Sequence, residues 1–190
     1  MNVLVAYATR HGATKGIAER IAQVLQTSGV GVTLRCLDDP EHLGDLARYD
    51  GFVIGAAAYF GQWMKEATAF VRDNRNVLER RPTWLFSSGP IGVEHVDKKG
   101  RDVVEASIPT EFRSLATEVQ PRDEKVFFGA LDLTAQPMGL AEGLMSRMGR
   151  MLPAIRDAMP SGDFRDWEDI EAWGRRIAAE LQGLPVATPA

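Results

Sequence analysis

Cysteine is almost missing from this chain: its 190 residues include only Cys36. One thiol closes no internal disulfide, so nothing asks for an oxidising compartment. Cys36 falls in a predicted strand without a partner and reads as a buried, inert thiol. Basic excess is absent too, with 22 lysines and arginines against 26 carboxylates and a net charge of −4. That balance gives no electrostatic reason to bind nucleic acid. No window approaches the roughly 18–20 uncharged apolar residues that cross a bilayer. The start, Met1-Asn2-Val3, lacks the charged and apolar regions of a signal peptide. His42 and His95 have no companions at metal-ligand spacing, so both read as surface residues. Ser87 and Ser88 lie outside any G-x-S-x-G elbow of a hydrolase. The expectation is a cytoplasmic protein of one domain, residues 1–184, with a frayed tail at 185–190.

What is present is an alternation of apolar runs and amphipathic stretches. Val3-Leu4-Val5-Ala6-Tyr7-Ala8 reads as a strand buried on both faces. Ile17, Ile21, Val24 and Leu25 then recur at helical spacing, and Gly29 and Gly31 end that helix. Further strands are predicted at Val32–Leu37, Gly51–Ala57, Thr83–Ser87 and Val126–Leu131, with a helix from about Met64 to Arg72. The last helix starts near Asp166 and places Trp167, Ile170, Trp173, Ile177 and Leu181 on one face. Such alternation predicts an α/β fold, a parallel sheet covered on both sides.

Two stretches break the rhythm. Residues 91–125 carry 14 charged side chains in 35, against 25% overall, and read as an exposed insertion with a helical portion at Thr110–Val119. Met138–Leu152 holds four of the seven methionines. Leu140, Leu144, Met148 and Met151 share a helical face there, with Arg147 and Arg150 toward another. Core packing is the commoner use of such a face. Peripheral contact with a membrane surface, or shelter for an apolar quinone, is the other reading.

Thr9-Arg10-His11-Gly12-Ala13-Thr14-Lys15 lies between the first strand and its helix. Main-chain N–H groups at a helix start lack intrahelical partners and face an anion. Two threonine hydroxyls, one glycine and two cations complete the composition of a phosphate cradle. Neither G-x-G-x-x-G nor G-x-x-x-x-G-K-[ST] is present. A plain helix-capping turn is the competing reading.

The run Tyr7 to Thr14, continued by Ile17-Ala18, resembles the phosphate loop of flavodoxin-like proteins. More narrowly it resembles the branch of menaquinone-dependent protoporphyrinogen IX dehydrogenases. Gly55-Ala56-Ala57-Ala58-Tyr59-Phe60-Gly61-Gln62 followed by Phe70-Val71 resembles that branch's second flavin loop. Phe127 to Leu131 resembles its last core strand, and Asp166-Trp167-Glu168 through Ala178 its C-terminal helix. The resemblance implies a doubly wound, five-stranded parallel sheet with FMN beyond the carboxyl ends of the strands. It assigns phosphate contacts to Thr9, Arg10, His11, Gly12, Ala13 and Thr14. Ala57, Ala58, Tyr59, Phe60, Gly61 and Gln62 would line the ring, and Ser87, Ser88, Gly89, Pro90, Ile91 and Gly92 would form a third loop.

Under that resemblance the flavin carries the redox chemistry, and no protein nucleophile or metal is needed. Tyr59 is the first choice for an aromatic face on the ring, with Phe60 and Trp63 as alternates. The implied reaction passes hydrogen from a porphyrinogen through FMN to a quinone. Tyr59 stands where the branch commonly shows a basic residue, which removes a cation that porphyrinogen propionates would meet. A flavodoxin-type electron carrier docking redox partners is the second reading, although such carriers are generally strongly acidic. A flavodoxin-like interaction module without flavin is the third. Oligomeric state is left open.

Overall fold

The computed structural model describes residues 1–38, 43–92, 94–97, 99–131 and 162–183. In chain order they form β1 (Asn2–Ala8), α1 (Ala13–Thr27), β2 (Gly31–Cys36), a 3-10 turn at Leu46–Arg48, β3 (Gly51–Tyr59) and β4 (Gln62–Trp63). Next come α2 (Lys65–Asp73), α3 (Arg75–Leu78), β5 (Thr83–Ser88), α4 (Val103–Ala106) and α5 (Phe112–Val119). The remainder is β6 (Asp123–Phe127), β7 (Ala130–Leu131), β8 (Gly162–Asp163) and α6 (Trp167–Leu181). The methionine-rich stretch, His42 and the tail after Gly183 lie outside the described residues.

The main sheet runs β2-β1-β3-β5-β6, all parallel, with β4 folded back antiparallel on β3. This is the doubly wound, five-stranded order expected from the sequence. The chain leaves β1 toward β2 on one side and returns past it to β3 on the other, so a crevice opens where the direction reverses. Register aligns the strand ends: Ala8 pairs Ala56, Ala56 pairs Ser87, and Ser87 pairs Val126. The loops after β1, β3, β5 and β6 therefore all emerge at one rim.

Strand alternation divides the core into two layers. Leu4, Ala6, Phe52, Ile54 and Leu85 face α2 and α5, while Val3, Val5, Val53, Trp84 and Phe86 face α1 and α6. In the second layer Phe86, Phe127 and Trp173 meet edge to face, with centroids 5.6–6.0 Å apart. The α1 and α6 backbones approach closely at Gly174, where a β-carbon would sit 3.1 Å from Val24 Cγ1.

Three sequence expectations are corrected. Residues 91–125 are not simply an exposed insertion. Their second half forms α5, which buries Phe112, Leu115 and Val119 against the sheet, and then starts β6 at Asp123. Burial of three such side chains is worth about 1.5–3 kcal/mol each, enough to make α5 a core helix despite its charged neighbours. The last strand stops at Phe127 rather than running to Leu131, because the Gly129 N–H turns to the Pro90 carbonyl at 2.8 Å. Cys36 is half-buried rather than buried, with Sγ 3.5 Å from Asp38 Oδ2.

Three buried polar atoms among the described residues lack a hydrogen-bond partner, Trp84 Nε1, Ser87 Oγ and Glu124 Oε1, and the carboxylate is the costliest of them. Burial, and then the neighbouring Asp123, push the Glu124 carboxyl above the ordinary glutamate range. A raised folded-state pKa means the ionised form opposes folding above that pKa, and the penalty fades as pH falls toward the unfolded value. Glu124→Gln is therefore expected to raise the denaturant midpoint at pH 7, with the gain shrinking toward pH 4. A midpoint equal to or below wild type at pH 7 would overturn this reading.

Candidate functional site

The first loop is built around Gly12, which adopts a left-handed φ of 84° before α1 begins. Thr9 Oγ1 accepts from the Gly12 N–H at 3.0 Å, folding the loop onto itself. Among the described residues, the start of α1 has no side-chain cap and no acidic residue in its first turn. By contrast, α6 is capped by Asp166, which accepts from Glu168 N and Asp169 N at 3.0 and 3.1 Å, and carries two carboxylates in its first turn. The N–H groups and dipole at the start of α1 thus suit an anion. Arg10 and His11 are exposed on the loop, and Ala13 is half-buried.

Thr14 is fully buried, and its hydroxyl lies 2.8 Å from that of Ser88, itself 3% exposed. This bond ties the first loop to the third. Each hydroxyl keeps a further hydrogen-bonding position. Ser87 is buried beside it. The third loop is held in turn by Gly89 N donating to Phe127 O at 3.3 Å and by Gly129 N donating to Pro90 O. Pro90 is buried, while Gly89, Ile91 and Gly92 are half-buried.

The second loop is the hairpin joining β3 to β4. Ala57 is buried and Ala58 half-buried at its base, and Gly61 and Gln62 are exposed at its turn. Phe60 holds a left-handed φ of 54° and is 88% exposed, the most open large apolar side chain among the described residues. Tyr59 packs partly on the first core layer, and the Arg10 guanidinium lies 5.0 Å from its ring centroid. The hairpin is fastened from behind. Thr110 N donates to Gly61 O at 3.0 Å, and Trp63 N donates to Glu111 Oε2 at 2.9 Å.

The structure thus brings the three predicted loops to one rim and links the first to each of the others. Trp63 does not join them. It is 3% exposed, meets Phe112 edge to face at 5.1 Å, and directs its indole N–H to the carbonyls of Ala56 and Phe86, each at 3.2 Å. As an alternate aromatic face for a ring it is set aside: its polar tip is satisfied inside the core. No group of three or more His, Cys, Asp or Glu side chains forms a metal site among the described residues. His95 is exposed and contacts Phe128 edge to face at 5.2 Å.

Beyond the third loop, at the open edge of β6, lies a cavity of about 490 Å³. Val104, Ile108 and Phe127 supply apolar lining, and Asp102, Glu105 and Asp166 supply carboxylates beside the Lys125–Asp169 ion pair, so acidic groups outnumber the one lysine. Sequence reasoning did not anticipate this cavity, because it depends on α4 and α6 meeting one strand edge.

A sequence profile of the flavodoxin domain matches residues 4–142. No curated protein matches the sequence significantly. Solved structures similar in fold include a flavodoxin from the domain Archaea, 14% identical with a TM-score of 0.54 over 96% of this chain and 99% of that one. A cysteine-to-serine mutant of flavodoxin from Pseudomonas aeruginosa is 14% identical with a TM-score of 0.55, over 96% and 100%. Rubredoxin oxygen:oxidoreductase from Desulfovibrio gigas is 10% identical with a TM-score of 0.53, over 96% of this chain and 36% of that one.

Proposed function

Because this chain belongs to the flavodoxin-domain family, we propose that it binds FMN at the rim of β1, β3 and β5 and works as an oxidoreductase on a small redox substrate. The observation that carries this reading is the buried Thr14–Ser88 bond beside a helix start without a side-chain cap. The residues fit the group: uncapped N–H groups and two cations suit a phosphate, and the Tyr59–Phe60 hairpin offers aromatic surface for a ring. FMN, when bound, would supply two-electron redox chemistry. The chain's part is to grip the phosphate with residues 9–14, to order the third loop through Ser88, and to flank the ring with residues 57–62.

The substrate we propose is a porphyrinogen, with hydrogen passed on to a quinone. The cation missing at position 59 is replaced in space, since Arg10 sets its guanidinium over the Tyr59 ring. A propionate approaching the hairpin would meet that charge. The 490 Å³ cavity suits such a substrate less, because its carboxylates carry the wrong sign. The flavodoxin-type electron carrier is the second reading, supported by the family itself.

Two measurements separate these readings. The absorption spectrum of the purified protein should show flavin bands; colourless protein that takes up no added FMN ends the cofactor proposal. With FMN bound, anaerobic protoporphyrinogen should bleach those bands, and a menaquinone analogue should restore them. Bands that stay oxidised under porphyrinogen would remove that substrate and leave the carrier reading in place. No helix among the described residues is long and apolar enough to cross a membrane, so quinone would be met at a surface. Vesicle sedimentation tests that contact, and no binding to anionic vesicles at low salt would sink it.

A further inference from the structure

We infer that Arg165 is a positioning residue for the phosphate cradle, bracing the first turn of α1 from a segment remote in sequence; the inference rests on the FMN reading above. The short ribbon of β7 and β8 pairs Ala130 with Asp163 and emerges beside the third loop, where Phe164 N donates to Gly129 O at 3.0 Å. Asp163 then grips Arg165 in a two-pronged pair: Nε donates to Oδ1 at 2.7 Å and Nη2 to Oδ2 at 2.6 Å. That grip leaves Nη1 to donate to the carbonyl of Ala13, the first residue of α1, at 3.2 Å. The guanidinium also lies 4.4 Å from the Trp167 ring centroid, and the side chain is only 16% exposed.

Gly16 makes this approach possible. A β-carbon there would sit 2.4 Å from Arg165 Nη1, so any larger residue displaces the guanidinium. Position 16 lies one helical turn beyond Gly12, and Gly16 N itself donates to Gly12 O at 3.1 Å. The arrangement compensates for the uncapped helix start. With no side chain of its own loop capping the first turn, α1 is steadied from behind by a planar fork that is itself locked on two sides. The fork also adds positive charge near a helix end that already favours anions, although Asp163 offsets part of it. An Arg165 that slackened would let Ala13 and Thr14 turn away from the phosphate while the ring contacts of residues 57–62 stayed in place.

The test compares FMN with riboflavin, which carries the same ring without the phosphate. Affinities of flavin-freed protein for both are read from quenching of flavin fluorescence, for wild type, Arg165→Gln, Arg165→Lys and Gly16→Ala. Arg165→Gln is expected to weaken FMN about tenfold, the scale of one charge-assisted hydrogen bond, and to leave riboflavin within about twofold. Gly16→Ala should reproduce that selective loss with the arginine still present. Arg165→Lys should recover only part of it, because an ammonium cannot span Asp163 and Ala13 as a fork does. Equal losses for both flavins would mean a merely structural role and overturn the inference, as would unchanged FMN affinity in both Arg165→Gln and Gly16→Ala. Wild type binding neither flavin would instead remove the cofactor reading, and this inference with it.

Discussion

Replacing Gly55 by alanine is expected to destabilise the fold by about 3 kcal/mol, the upper end of the usual cost of overpacking a core. Gly55 sits mid-strand in β3, between Tyr7 of β1 and Phe86 of β5. A β-carbon there would lie 1.9–2.3 Å from three atoms of the Phe86 ring. The ring has nowhere to retreat, since it is fully buried and already meets Phe127 and Trp173, each at 6.0 Å. Urea unfolding at neutral pH measures the effect, and a wild-type midpoint for Gly55→Ala contradicts the packing described. Shrinking the ring gives an internal control. Phe86→Leu alone should destabilise by opening a cavity. Combined with Gly55→Ala it should cost less than the two single changes added together, because the residues share one space.

Thr14→Ala is expected to weaken FMN binding between about fivefold and a hundredfold, following from the 1–3 kcal/mol cost of leaving a buried polar partner unsatisfied. The partner is Ser88, whose hydroxyl would lose its 2.8 Å contact in a place almost without solvent. Loss of that bond uncouples the first loop from the third, so the effect should reach beyond the missing hydroxyl. Thr14→Ser keeps the oxygen and should restore most of the affinity. Fluorescence titration reads all three proteins. An alanine variant that binds FMN like wild type would falsify the cradle.

Much of the layout was legible in residue patterns, for identifiable reasons. The strands at Val3–Ala8, Gly51–Ala57 and Thr83–Ser87 are apolar runs buried on both faces, and burial on both faces is what such runs report. The last helix was equally plain, because Ile170, Trp173, Ile177 and Leu181 repeat at helical spacing and all four are buried. Helix α5 was obscured by averaging. Phe112, Leu115 and Val119 form a helical stripe, yet Arg113 and Glu118 between them raised the charge of the whole segment. Spacing carried the signal, and composition hid it. Trp63 misled for a related reason: an aromatic residue beside a flavin-like loop suggests a ring partner, while its actual use was set by two carbonyls on neighbouring strands. The links that assemble the site were beyond reach. Thr14 and Ser88 are 74 positions apart, and Arg165 and Ala13 are 152 apart. No local period connects such pairs; only the strand order does.

The anchoring of the β3–β4 hairpin has a consequence for the speed and heat of binding. Its tip is fastened to the start of α5 through Gly61 with Thr110 and Trp63 with Glu111, and the Met64 N–H closes its base on Ala57 O at 3.1 Å. The ordering entropy of the tip is thereby spent when the chain folds rather than when a ligand arrives. A ring landing beside Phe60 would meet a surface already in place, so association should be a single fast phase with no slow rearrangement behind it. The amides of Trp63 and Thr110 should then exchange with solvent slowly even in flavin-free protein, opening together with the core instead of fraying as a loop.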